Sequence, residues 1–384
     1  MAAPRVLFNP RWLLLLLLSY IGWRLIPALA TSLLGRYIGI GLLIGCYAII
    51  PLSIRSPIIR NSTLKNLLAW TSVLAMGFLS SLLVFTLLRD FVLLGIRILE
   101  PAFDMSLVAS SAEWTLMLST LLTVMGLIIA RSRPNVVNIE IPIINLPAAL
   151  HGFSIAQVSD VHVGPTIRRG FVERIVARVN RLKADLIAVT GDLVDGSVQQ
   201  LSRHTAPLAE LVARHGVYFV LGNHEYYSGE RAWTAELKRL GLHVLKNEHV
   251  VLAHNGASLV LAGVTDLSAH HFDASQHSDP HAALRGAPAD AGAKVLLAHQ
   301  PNSASAAATA GFDVQLSGHT HGGQFWPWNL LIGFFQPFAR GLYRLKNLWV
   351  YVNRGTGYWG PPNRFGVPPE ITHIRLVPAA PPLE

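Results

Sequence analysis

Two stretches of this chain follow different hydrophobic patterns. Over residues 12–130 apolar residues run on with few charges, whereas from Arg131 onward short apolar runs alternate with amphipathic segments. The first stretch divides into four blocks, 12–34, 37–54, 67–88 and 114–130. Each has roughly the 17–25 residues that a helix needs to cross the hydrocarbon core of a bilayer. Arg24 interrupts the first block, and Gly41 and Gly45 in the second have a small-xxx-small spacing suited to close helix packing. Residues 91–99 either re-enter or extend the third block.

The second stretch begins with residues 134–150, where Pro142 and Pro147 predict an extended connector. Beyond it the alternation predicts strands at 153–158, 186–189, 217–221, 258–262, 294–297, 314–316, 348–352 and 371–377, with helices at 171–182 and 208–214. Interleaved strands and helices of this kind indicate an α/β domain. The expected organisation is a four-helix transmembrane region over 1–133, a connector over 134–150 and an α/β domain over 151–384. The His/Asp/Ser-rich stretch 270–281 and the Ala-rich stretch 287–293 read as loops.

Charge changes this picture in one respect. Lys and Arg number 31 against 22 Asp and Glu, a formal +9, but no basic run reaches five residues. Much of the excess flanks the apolar blocks, which favours a membrane protein over a nucleic-acid binder; no nucleic-acid partner is expected. Arg5, Arg11, Arg55, Arg60, Lys65, Arg131 and Arg133 fall on one side of the four blocks. Arg36, Arg89 and Arg97 fall on the other, beside Asp90, Glu100, Asp104 and Glu113. That excess predicts a C-terminal domain on the cytoplasmic side. Ala28-Leu29-Ala30 imitates a signal-peptide cleavage site, but Arg24 inside the block and the spans that follow predict an uncleaved helix. The one cysteine, Cys46, lies in an apolar block, so an internal disulfide and a thiolate metal site are both excluded. Asn61-Ser62-Thr63 has the form of a glycosylation acceptor, which its expected cytoplasmic position makes a chance match.

Five polar motifs follow directly after predicted strands. They are Asp160-Val161-His162, Gly191-Asp192-Leu193-Val194-Asp195, Gly222-Asn223-His224-Glu225, Ala298-His299 and Gly318-His319-Thr320-His321-Gly322-Gly323. In α/β proteins ligands collect beyond the carboxyl ends of strands. In extended backbone the two side chains of Asp-x-His point the same way and can share a cation, and the glycines allow tight turns and close backbone approach. Carboxylate, imidazole and amide oxygen without sulfur suit Mn, Fe, Zn or Co. Two such ions about 3.5–4 Å apart can activate a bridging water and hold phosphate oxygens during in-line displacement. Each motif alone is a weak signal; all five in order are a strong one.

In order and composition these motifs resemble the calcineurin-like metallophosphoesterase superfamily over most of 153–377, and look most similar to its membrane-linked bacterial YkuE/YaeI type. The tail Val352-Asn353-Arg354-Gly355-Thr356-Gly357, followed by Pro369-Glu370-Ile371, shares the likeness. The resemblance implies a four-layer α/β sandwich with two central sheets, behind an α-helical transmembrane region in a bacterial inner membrane. It implies two divalent metal ions, the first held by Asp160, His162 and His321 and the second by Asn223, His299 and His319, with Asp192 bridging. A metal-bridging hydroxide would then attack a phosphoester or pyrophosphate. His224 would contact the phosphate without binding metal and protonate the leaving oxygen. Asp195 and Glu225 are expected to fix the loops and orient the histidines. Arg354 and Arg364 are either contacts to the substrate phosphate or structural arginines.

Residues 325–338 follow the last motif and are aromatic, apolar and rich in turn formers. They read either as core beneath the site or as a membrane-dipping, lipid-binding flap. With the anchor, the second reading suggests a phospholipid or a nucleotide-linked lipid such as UDP-diacylglucosamine, by analogy within the superfamily. The alternatives are a phosphodiesterase on soluble nucleotides, a catalytically silent membrane sensor or scaffold, and a transporter.

Overall fold

The computed structural model describes residues 9–52, 62–100 and 106–379, which group into two compact units. Arg5, Arg55, Arg60, Asn61 and Asp104, used above, lie outside the described residues.

The helical unit comprises residues up to Ile128 together with Gly360–Asn363. Its helices are α1 (Pro10–Leu29), α2 (Leu33–Leu52), α3 (Ser62–Leu99) and α4 (Ser106–Arg131). Four helices among the described residues are long and apolar enough to cross a membrane. Asn9 caps α1 by accepting the Arg11 N–H, with Pro10 as its first residue. The first expected block ran too far. Ala30 turns extended and Ser32 Oγ accepts the Gly35 N–H, so Leu33 and Leu34 open α2. Residues 91–99 do not re-enter; they continue α3, whose 38 residues at ~1.5 Å each run about 57 Å, well beyond the ~30 Å hydrocarbon core.

Arg89 and Asp90 therefore lie inside a helix rather than in a loop, which removes them from the charge count. Asp90 instead closes a polar network. Arg24 Nε and Nη2 donate to its two oxygens at 2.6 and 2.8 Å, and the Tyr20 hydroxyl donates at 2.6 Å. Arg89 donates to Asp90, to Ser111 Oγ and to the Val108 carbonyl. Arg24 thereby gains a structural partner, and support for a transporter reading goes with it. Around this network Leu18, Ile21, Leu25, Leu79, Leu82 and Ala112 form the unit's apolar centre. Gly41 and Gly45 take no part in close packing, since a Cβ at either would meet no heavy atom within 4 Å. The tight approach is at Gly22, where a Cβ would lie 2.8 Å from Leu43 Cδ1.

The α/β unit comprises residues 129–359 and the chain from Arg364 on. One six-stranded sheet has the order β1 (Asn135–Ile143), β12 (Glu370–Pro378), β2 (Ser154–Val158), β3 (Leu186–Val189), β4 (Val217–Phe219), β5 (His243–Val244). The other has the order β10 (Gly341–Leu345), β11 (Leu348–Val352), β9 (Val314–Ser317), β8 (Ala293–Leu297), β7 (Ala257–Gly263), β6 (Glu248–His254). β2 to β5 are parallel, as are β7, β8, β9 and β11, with antiparallel neighbours toward the edges. The expected connector is extended, and β1 uses it as an edge strand parallel to β12.

β3 is an unbroken apolar run and β2, β8 and β9 are mostly apolar or small, with Gln157, Lys294 and Gln315 the exceptions, because both their faces are covered. Between the sheets, Ile155, Leu186 and Ala188 meet Leu261, Val295 and Leu316. Outside the first sheet pack α5 (Arg169–Asn180), α6 (Val198–Thr205) and α8 (Glu230–Arg239), through Ile175, Leu201 and Trp233. Outside the second pack α9 (Pro280–Ala283) and α10 (Ala304–Ala310). Helices, sheet, sheet, helices make four layers. The helix expected over 208–214 is a 3-10 turn, Ala206–Glu210. Pro207 opens it and lacks the N–H that a continuing helix would use.

Candidate metal centre

Every sequence-derived metal ligand lies beyond the carboxyl end of a parallel strand: Asp160 and His162 after β2, Asp192 after β3, Asn223 after β4, His299 after β8, His319 and His321 after β9. Asn223 also starts the short helix α7 (Asn223–Ser228). The backbone is not extended there as the Asp-x-His reasoning supposed. Asp160, His162, Asp192, His319 and His321 all have φ between 50° and 71°, a conformation that non-glycine residues rarely adopt outside functional sites. Neighbouring loops hold them in it. The Asp160 and His162 N–H groups donate to the Gly191 and Asp192 carbonyls, and the His319 N–H donates to both Asp160 oxygens at 3.0 Å. The loops close this tightly because glycines line them. A Cβ on Gly222 would collide with Asp192 Oδ1, and one on Gly318 with Ser159 Oγ and Asp160 Oδ2.

Three groups of candidate ligands result among the described residues: His162 with Asp195 and His224, and two clusters of expected metal ligands. Asp160, His162 and His321 form one, Asp192, His299 and His319 the other, with ligand atoms in each within 4.8 Å of one another. His162 Nε2 faces His321 Nε2 at 3.1 Å, and His299 Nε2 faces His319 Nδ1 at 3.2 Å. Asp192 Oδ2 lies 3.1 Å from His299 Nε2 and 4.0 Å from His162 Nε2, between the clusters. Hydrogen bonds behind the rings set the tautomers. His299 Nδ1–H donates to the Thr190 carbonyl at 2.8 Å and His162 Nδ1–H to Asp195 Oδ1 at 2.9 Å, which turns both Nε2 lone pairs inward.

Each facing pair is electrostatically divided. Burial opposes a charge on His162, but Asp195, Asp192 and Asp160 outweigh it and lift the ring to about 9. Its partner His321 is held well below the usual range by burial, by His162 and by Arg364. Burial likewise opposes a charge on His299, which Asp192 nonetheless raises well above the usual range; burial and His299 lower His319. One proton per pair is what two adjacent imidazoles allow, and a cation between them can take its place.

Asp195 Oδ1 also accepts from His224 Nδ1 at 2.7 Å, so one oxygen serves His162 and His224. Burial alone would raise Asp195; the two histidines hold it at about 2. His224 Nε2 points back toward the clusters, 3.9 Å from Asp192 Oδ2. Glu225 is buried and receives the N–H groups of Gly222, Asp192, Leu193 and Val194. Burial, with Asp192 adding to it, raises Glu225 to about 7 against those donors.

The two arginines are placed differently from a pair of phosphate contacts. Arg364 is fully buried and donates to the His321, Arg354 and Gly355 carbonyls, bracing the backbone under His321. Burial holds it out of contact with a substrate at the surface. Arg354 is ion-paired with Glu370 and only partly exposed. Sequence reasoning missed the aromatic surround of His224, where Tyr227 and Trp359 stand edge-on at 5.3 and 5.7 Å between ring centroids. No spacing signals Trp359, which arrives from a loop over a hundred residues away.

A family model for calcineurin-like phosphoesterases matches residues 153–323. A zebrafish protein described as a transmembrane protein with metallophosphoesterase domain is 39% identical over 68% of this chain and 61% of its own length. An uncharacterized metallophosphoesterase of Campylobacter jejuni is 31% identical over 80% of this chain and 82% of its own. The chain belongs to the calcineurin-like phosphoesterase family. It is also similar to the uncharacterized metallophosphoesterase YkuE of Bacillus subtilis, 29% identical over 60% of this chain and 81% of that one. Its match spans about three fifths of the zebrafish relative's length.

Calcineurin-like phosphoesterases typically hold two divalent metals, and the side chains here fit such ions. The inward lone pairs and Asp192 supply hard and borderline donors with no thiolate. Asn223 precedes His224, whose N–H donates to Asp192 Oδ1, and its own Oδ1 is buried with no hydrogen-bond partner. An orphaned buried carbonyl costs about 1–3 kcal/mol, and a cation bound there would relieve it.

Proposed function

We propose that this chain is a membrane-anchored, dinuclear metal-dependent phosphoesterase. Asp160, His162 and His321 would hold one divalent ion and Asn223, His299 and His319 the other, with Asp192 shared. The observation that carries this reading is the pair of facing histidine couples on either side of Asp192, completed by the orphaned Asn223 oxygen. Two ions so held would supply Lewis acidity toward phosphoryl oxygens and would activate a water as nucleophile. The chain's own residues do the rest. Asp195 accepts from His224 Nδ1 and so fixes the ring with Nε2 toward the reacting phosphate, where it can pass a proton to the leaving oxygen. Glu225 ties four backbone N–H groups of the Asp192 and Asn223 loops into one rigid turn.

We further propose a lipid or nucleotide-linked lipid as the substrate, in a bacterial inner membrane, with the α/β unit over 151–384 on the cytoplasmic side. The four apolar helices support the anchoring, and Arg11, Lys65, Arg131 and Arg133 support the orientation. Hydrolysis of bis-p-nitrophenyl phosphate by the purified full chain with added Mn tests the chemistry. Turnover is expected to depend on the metal and to disappear in Asp192→Asn. An equal, residual rate in wild type and Asp192→Asn would leave a silent sensor or scaffold as the better reading. Screening of lipid against soluble nucleotide phosphoesters then separates the two substrate classes.

A further inference from the structure

Residues 325–338 do not form core beneath the site. Phe325 is buried, but beyond it the chain turns through α11 (Trp328–Leu331) and a 3-10 turn, Ile332–Phe334, that leave the largest side chains in the open. Phe334 is 82% exposed, Phe335 78% and Leu330 62%, with Trp328 and Leu331 also exposed. Five large apolar side chains within eight residues form a patch that a soluble surface seldom carries without a partner.

We propose that residues 328–335 are a bilayer-docking flap, inserted into the same membrane that the four apolar helices span. The inference rests on the membrane-anchored reading above and extends it by naming the surface that meets the lipid. Three observations select a bilayer over a protein partner. Trp favours the membrane interface, and Trp, Phe and Leu together make up the apolar face of segments that lie in it. From Asp313 to Glu370 the sequence contains no acidic residue, and Arg340, Arg344 and Lys346 follow the patch on exposed positions, so its flank complements anionic headgroups. Finally, only three residues separate α4 from β1, so a short tether keeps the α/β unit at the bilayer and docking is an intramolecular event of high effective concentration.

The flap is joined rigidly to the site. Its base hydrogen-bonds from Trp326 N–H to the Phe365 carbonyl and from Asn329 N–H to the Phe325 carbonyl. Gly323, two residues after His321, packs so closely under it that a Cβ would lie 2.5 Å from Asn329 Cα. Docking the flap therefore fixes where the metal-ligand turn stands relative to lipid headgroups.

The test uses the full chain in vesicles. In a Cys46→Ser background, Phe334→Cys or Leu330→Cys carries an environment-sensitive fluorophore, and Val212→Cys is the reference. Val212 is exposed on the loop before β4, at the strand ends opposite the site. In phosphatidylcholine–phosphatidylglycerol vesicles the flap labels are expected to be quenched several-fold more by acyl-chain nitroxides than the reference label, and less by aqueous iodide. The difference should shrink in pure phosphatidylcholine. Equal quenching at flap and reference positions overturns the proposal. So does iodide protection that grows with protein-to-lipid ratio without nitroxide quenching, which would make the patch a contact between copies of the chain. Because the readout needs no turnover, its failure is separate from failure of the phosphoesterase reading, which the bis-p-nitrophenyl phosphate assay decides.

Discussion

Both units of this molecule bury charge, and they treat it in opposite ways. In the helical unit Asp90 is answered by Arg24, Tyr20 and Arg89, and Arg89 spends its remaining donors on Ser111 and the Val108 carbonyl. In the α/β unit imidazole faces imidazole, and Asn223 Oδ1 faces nothing. A closed network in a low-dielectric setting acts as a clamp between helices. An open one, built on left-handed backbone at five of the proposed ligand positions, offers donor atoms to a cation.

The contrast can be broken at four points. The largest effect is expected at His224, which touches no metal in the proposed centre. His224→Ala should lower kcat by about 10²–10⁴-fold while elemental analysis finds the same metal content; loss of metal would move His224 into the ligand set. Next comes Asp90. Asp90→Leu leaves arginines unanswered within a span, at a cost of about 2.5–3.5 kcal/mol in detergent unfolding. Arg24→Leu combined with Asp90→Leu should recover much of that loss, and a single variant as stable as wild type would show that the network is no clamp.

A smaller effect, about 10–100-fold in metal affinity or activity, is expected for Asp195→Asn, and it carries a pH signature. In the metal-free protein His162 is raised to about 9 from an unfolded value of 6.5, so its contribution to stability is complete below 6.5 and is lost as pH rises through 9. Asp195, lowered to about 2 from 3.8, contributes above 3.8 and loses its contribution as pH falls through 2. Metal needs the neutral His162 ring, so metal affinity by calorimetry should climb between pH 6.5 and 9. Asp195→Asn should flatten both that climb and the matching decline in metal-free stability. The smallest effect tests the orphan itself. Asn223→Ala removes a buried carbonyl whose missing partner costs about 1–3 kcal/mol, so it should not lower the metal-free unfolding free energy, yet added Mn should stabilise it less than wild type.

Much of this could be read from the chain alone. The strand runs at 186–189, 294–297 and 348–352 fall within one residue of β3, β8 and β11, because strands covered on both faces are predominantly apolar. The order of the motifs named the family. Other features were out of reach. The connector was legible as extended, and residues 137–143 alternate as a strand does, but Pro142 and Pro147 pointed to a linker and the partner β12 is over two hundred residues away. Arg89 and Asp90 looked like loop charges because a window of hydropathy cannot see the neighbouring helix that answers them. Arg364 stayed open between a phosphate contact and a structural arginine, because a guanidinium that binds three carbonyls is written with the same letter as one that binds a substrate.

What the sequence determined by itself was the set of chemical groups and the strand ends that carry them, since both are local. Which nitrogen of each histidine faces inward, which oxygen is left without a partner, and whether the aromatic run at 325–338 is buried or open were decided only by tertiary structure. Those outcomes depend on which distant loops approach within a few ångströms: Thr190 behind His299, Asp195 behind His162 and His224. The metal centre could therefore be expected from the chain as a list of residues, but it exists as a site only where the two sheets bring their loop ends together.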